Sequence, residues 1–188
     1  INIKAEGVLH MRLAIGQLFL ITNLVFSTLL LGQITVPSGY YSGTWAGDTT
    51  YIVSGDVLVN HGETLNIGAG AIVKFQGNYM IRVEGSFFAN GTETDSIIFE
   101  PYDANSTSNG QWGGIKFYHY SSQHTSKSEL SYFRTSYGGN GNWPQGAVVV
   151  YSKGSDESGV DSTIIRHGLI HNSSERGVSI QSNRRDTN

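Results

Sequence analysis

From Tyr51 onward the chain is broken into short apolar runs, each too short for a helix and each closed by a turn signal. Tyr51-Ile52-Val53 ends in Ser54-Gly55-Asp56, Val57-Leu58-Val59 in Asn60-His61-Gly62-Glu63, and Leu65-Asn66-Ile67 in Gly68-Ala69-Gly70. Runs of this length, rich in β-branched and aromatic residues, read as strands. Glycine supplies the turns, with 24 residues against 3 prolines, and the same composition disfavours long helices. The runs also recur. Ile81, Ile97, Ile115, Leu130, Val148, Ile164 and Val178 follow one another at steps of 14 to 18 residues, which marks a repeat architecture.

Two features favour a parallel solenoid over a sandwich. Two-residue Asn-Gly or Asp-Gly hairpin turns are scarce where strands would need them, while polar loops at 103–111, 121–128 and 152–161 stand between strands. Strands joined this way stack on the next coil instead of folding back. One coil cannot bury its apolar side alone, so stacking makes the core. Alternation along each strand then predicts Ile81, Val83, Ile97, Phe99, Ile115, Phe117, Val148 and Val150 inside. The segment Ile81 to Phe117 is expected to form one register of the solenoid.

The N-terminus reads differently. Residues 1–10 carry no recognisable element, and Met11-Arg12 leads into the apolar run Leu13 to Leu31, the pattern of a secretory signal. That run approaches bilayer-spanning length. Its polar interruptions, Gln17, Thr22, Asn23, Ser27 and Thr28, and the turn-rich sequence after it favour a cleaved signal over an anchor. The expected organisation is upstream sequence at 1–10, a signal peptide at 11–32, a lead-in at 33–50 and a β-helix at 51–188. No obvious cap follows the last strand, so the helix is expected to be part of a longer protein.

Composition excludes several functions. The chain has no cysteine, which rules out disulfides, thiolate metal sites and a cysteine nucleophile. Charged residues make up 14% and the formal net charge is -3, without the positive excess of a nucleic-acid binder.

The order Gly43-Thr44-Trp45, then Tyr51 to Val59, Gly62 to Phe75, Ile81-Arg82-Val83-Glu84-Gly85, Ala89 to Thr92, Ile97-Ile98-Phe99 and Trp112 to Phe117 resembles the opening coils of secreted bacterial right-handed parallel β-helix proteins. The resemblance covers about residues 43 to 180. It implies an all-β, right-handed parallel β-helix of the pectate-lyase-like superfamily and an extracytoplasmic location, secreted or at the cell surface. It also implies surface proteins and polysaccharide-acting enzymes among the relatives, including lyases in which carboxylates hold calcium and an Arg or Lys abstracts a proton.

Candidate chemistry falls on the outward positions Lys74, Arg82, Glu84, Lys116 and Tyr118. With aligned coils, Lys74, Arg82 and Lys116 would form a basic ladder on one face, suited to the carboxylates or sulfates of an acidic glycan. Outward cations on strands also serve solubility and guard edges. Lys74, Arg82, Lys116 and Tyr118 are the expected ligand-binding residues. The acids Asp56, Glu63, Glu84, Glu93, Asp95, Glu100 and Asp103 are scattered, without an EF-hand or a nonapeptide calcium repeat, so the residues assign no metal site. No cofactor is expected, with calcium left open by the resemblance.

Asp156, Glu157 and Asp161 could approach an acid one coil away but read better as a solvated turn. His119 and His124 flank a loop. His167 and His171 share a strand face by spacing, which admits a metal pair, but they lack the glutamate of a zinc-binding helix motif and read better as coil decoration. Tyr118, Tyr120, Tyr132, Tyr137 and Trp143 are candidates for stacking on sugars, while Trp112 is expected to pack over a coil junction. The expected function is a secreted or cell-surface scaffold for adhesion or carbohydrate binding, without catalysis in this segment. Its partner would be an extracellular polysaccharide or a cell-surface ligand, not nucleic acid, and its signal segment would meet the membrane only during export. The competing reading is a polysaccharide lyase or glycoside hydrolase acting on acidic glycans, with an active site partly beyond Asn188.

Overall fold

The computed structural model describes residues 32–103, 105, 110–119, 126–141, 144–152 and 162–182. The upstream residues 1–10 and all of the signal segment except Gly32 lie outside them, as do Tyr120, His124, Trp143, Asp156, Glu157 and Asp161.

All regular structure in the described residues is strand, and every strand pair is parallel. The first coil is β1 (Gln33–Val36), β2 (Gly39–Tyr40) and β3 (Gly43–Trp45); the second is β4 (Thr50–Val53), β5 (Val57–Val59) and β6 (Thr64–Ile67). The third is β7 (Ile72–Phe75), β8 (Met80–Val83) and β9 (Ser86–Asn90). After them come β10 (Ile97–Pro101), β11 (Gly114–His119), β12 (Lys127–Ser136), β13 (Val148–Ser152), β14 (Ser162–His171) and β15 (Val178–Ser182). The chain is a right-handed parallel β-helix. The first coil lies in the lead-in at 33–50, where β1, β2 and β3 pair in register with β4, β5 and β6.

Strands stack into three faces. β1, β4, β7 and β10 make the first; β2, β5, β8, β11, β13 and β15 the second; β3, β6 and β9 the third. The long strands β12 and β14 belong to two faces at once. The start of β12 pairs with β9 and its end with β10, so it rounds the corner from the third face to the first. At that corner Tyr132 has φ 47° and His167, on β14, has φ 49°. These left-handed residues bend the strand sharply within one residue, and their rings stack at 4.5 Å with 9° between planes.

The core follows from alternation. On the second face the inward rows are Val57–Ile81–Ile115–Val148–Val178 and Val59–Val83–Phe117–Val150–Ile180. All the residues expected inside are buried except Val150, which is half-buried against the same core. Val178 and Ile180, on the last described strand, continue the rows but are exposed. Each buried side chain of this size stabilises the fold by about 1.5–3 kcal/mol. Ile81 and Ile115 are register partners, so Ile81 to Phe117 is one coil and its returning strand. The 14- to 18-residue steps therefore count half-coils, because successive markers fall on different faces.

Thr135 is a polar side chain at an inward position. Thr135 lies between Phe99 and Ile170 on the first face, is 1% exposed, and its hydroxyl has no hydrogen-bond partner. An unsatisfied buried hydroxyl costs about 1–3 kcal/mol. The isosteric Thr135→Val is accordingly expected to raise the denaturant midpoint at unchanged slope; a lower midpoint would show that the hydroxyl is satisfied.

Candidate glycan-binding groove

On the outside of the second face, Tyr40, Leu58, Arg82, Lys116, Val149 and Ser179 form one row across successive coils. Strand spacing sets the step at about 4.8 Å. The N-terminal half of this row is open. Tyr40 is 71% exposed, and with Leu58, Val59, Asn60, Arg82 and Glu84 it lines a groove of about 200 Å³. Arg82 Nε donates to Glu84 Oε1 at 2.8 Å, and the guanidinium lies 4.8 Å from the centre of the Tyr118 ring. Tyr118 in turn meets Tyr151 edge-on at 5.9 Å. A carboxylate on one side and an aromatic ring on the other therefore orient the Arg82 donors beside the groove.

The C-terminal half is covered. Val149 and Ser179 are buried although they point outward, and Lys116 is 2% exposed. The chain after β12 comes over this part of the face: Asn140 N donates to Trp112 O, and Gly141 lies beside Lys116 Nζ. Burial pushes the Lys116 pKa below its ordinary value, with Asp56 acting in the opposite direction.

The expected ladder of three cations is thus corrected. Arg82 and Lys116 are register partners, but Lys116 is enclosed. Lys74 stands on the first face, where its register partner Glu100 holds Nζ at 3.1 Å. Tyr118 does stand beside Arg82. The histidine pair is separated by the corner, with His167 stacked on Tyr132 and His171 edge-on to Tyr137. His119 Nε2 lies 3.2 Å from Thr163 Oγ1. Trp112 is fully buried over a coil junction, as its position before a strand suggested. Among the described residues no three His, Asp or Glu side chains converge on a point that could hold a metal ion.

Residues 39–152 match the family described as the pectate-lyase like beta helix domain. The chain belongs to that family. No curated protein and no solved structure matches it significantly. Within this pectate-lyase-like domain, the groove residue that sequence reasoning missed is Tyr40. It precedes its row neighbour Leu58 by 18 residues, whereas Leu58 precedes Arg82 by 24. Only the stacked register reveals that the three are neighbours.

Proposed function

We propose that this chain is an exported, non-catalytic polysaccharide-binding scaffold that lays a glycan across the open groove of the second face. The observation that carries the reading is Tyr40, an exposed aromatic ring in one groove with the Arg82–Glu84 pair. An aromatic face packs against the C–H side of a sugar ring, while Asn60, Glu84 and Arg82 can exchange hydrogen bonds with hydroxyls or a uronate carboxylate. Export rests on the signal pattern at 11–32. The family description makes polygalacturonate the first polymer to test.

Titration of the full chain with oligogalacturonides is expected to give saturable binding. Tyr40→Ala should weaken it about tenfold, or 1.4 kcal/mol, and Arg82→Ala by a similar amount. Lack of binding by the parent chain, or binding by both variants as tight as the parent's, would refute the reading.

A lyase reading has one observation in its favour. Burial lowers the Lys116 pKa and brings the amine nearer the neutral form that abstracts protons. Its enclosure by the turn around Gly141 argues against access by a polymer. Incubating the chain with polygalacturonate and calcium while following ultraviolet absorbance separates the two. The binding reading expects no unsaturated product; product formation abolished by Lys116→Met would establish the lyase.

A further inference from the structure

The first face carries a second and larger cleft, of about 330 Å³, lined by Ile98, Glu100, Asp103, Arg134, Tyr137 and His171 among others. It lies on a different face from the Tyr40 groove, and its components come from three successive coils. Ile98 and Arg134 are register partners, and Arg134 pairs onward with Leu169. Beside that row runs another, Lys74–Glu100 and then Ser136–His171. Two outward positions along a strand are about 6.6 Å apart and neighbouring coils about 4.8 Å. Ile98, Glu100, Arg134 and Ser136 therefore frame a floor the size of a single sugar ring. The volume agrees, since it sits at the bottom of the range of roughly 300–1,000 Å³ for small-molecule pockets.

Charge decides the class of ligand. Glu100 is neutralised by Lys74 at 3.1 Å. The remaining Asp103 carboxylate faces a cleft that also holds Arg134, an exposed guanidinium with no ion-pair partner among the described residues. The two formal charges cancel, so an anion gains no net attraction here, while the hydroxyls of a neutral ligand can pair with both groups and offset their desolvation. Asp103 Oδ1 accepts the Asn105 N–H at 2.9 Å, which fixes that carboxylate. Tyr137 is likewise fixed: its N–H donates to His171 O, its carbonyl accepts the Gln111 N–H, and its ring meets the His171 ring edge-on at 6.3 Å. Carboxylate acceptors opposite a guanidinium suit pairs of adjacent hydroxyls. The half-buried Ile98 and the Tyr137 ring offer apolar surface to the C–H face of a ring.

From this arrangement we infer that the first-face cleft is a binding site for one neutral pyranose ring, separate in place and in ligand chemistry from the groove of the second face. Saturation-transfer NMR and calorimetry on the full chain carrying Tyr40→Ala and Arg82→Ala together, which weaken the other groove, read this site. The probes are the methyl glycosides of glucose, galactose and mannose, with galacturonic acid as the charged comparison. At least one neutral glycoside is expected to bind, more tightly than galacturonic acid. Arg134→Ala and Asp103→Asn should each weaken it about tenfold. Arg134 is exposed and Asp103→Asn preserves shape, so both variants should keep the parent melting curve. Failure of all three glycosides to bind, preference for galacturonic acid, or binding untouched by both substitutions would overturn the inference. None of these results bears on oligogalacturonide binding by the parent chain.

Discussion

Replacing Trp112 with alanine is expected to destabilise the chain by about 3–5 kcal/mol, the range for removing a large aromatic from a packed core. The indole is fully buried and lies flat on Phe75, with ring centres 4.1 Å apart and 7° between planes. Its Nε1–H donates to Ser136 O at 2.9 Å, and a parallel bridge joins Trp112 to Gly138. One side chain therefore ties the third coil to the next and to the turn that covers Lys116. Trp112→Ala removes the stack, the hydrogen bond and that turn's support together. Trp112→Phe keeps the stack and is expected to lose the hydrogen bond, worth about 1 kcal/mol, together with part of the indole's packing. Denaturant unfolding of both variants measures the difference. A loss below about 1 kcal/mol for the alanine variant would show that the indole is not a structural tie.

Gly114→Ala is the second large effect. Gly114 opens β11 with φ 92°, where a side chain costs about 1–3 kcal/mol in backbone strain alone. An added Cβ would also lie 2.5 Å from Gly146 O and 2.9 Å from Ala147 O, and Ala147 O accepts the adjacent Ile115 N–H. The clash is with backbone, so it cannot be relieved by a rotamer change. Gly62 provides the comparison, since it has φ 78° and open space around its Cβ position. Gly62→Ala should show the backbone cost alone, and Gly114→Ala clearly more. Equal losses would mean that the coil shifts to accommodate the methyl group.

The fold was legible because alternation does not depend on distance along the chain. Ile81, Val83, Ile115 and Phe117 are inside for the same reason that Arg82 is outside, and that reason can be read from five consecutive residues. What alternation does not give is which outward residues stand side by side. The coils differ in length, with 18 residues from Tyr40 to Leu58, 24 from there to Arg82 and 34 to Lys116. Aligned coils would put Lys74, Arg82 and Lys116 in one ladder, but Lys74 on β7 and Arg82 on β8 belong to the same coil and lie on different faces. The burial of Lys116 was hidden for a related reason. The turn that covers it comes more than twenty residues later, and only the stacking of β13 on β11 brings it over the face. Tyr40 was overlooked because residues 33–50 read as turn-rich, and its two-residue strand gives no periodic signal.

The glycan site proposed here is the open half of the second face. Heteronuclear NMR of the full chain during titration with an oligogalacturonide tests it directly, because each amide reports its own environment. Shifts concentrated at Tyr40, Leu58, Asn60, Arg82 and Glu84, and lost in Tyr40→Ala, are the predicted result. Saturable shifts that leave these five residues unmoved would contradict it.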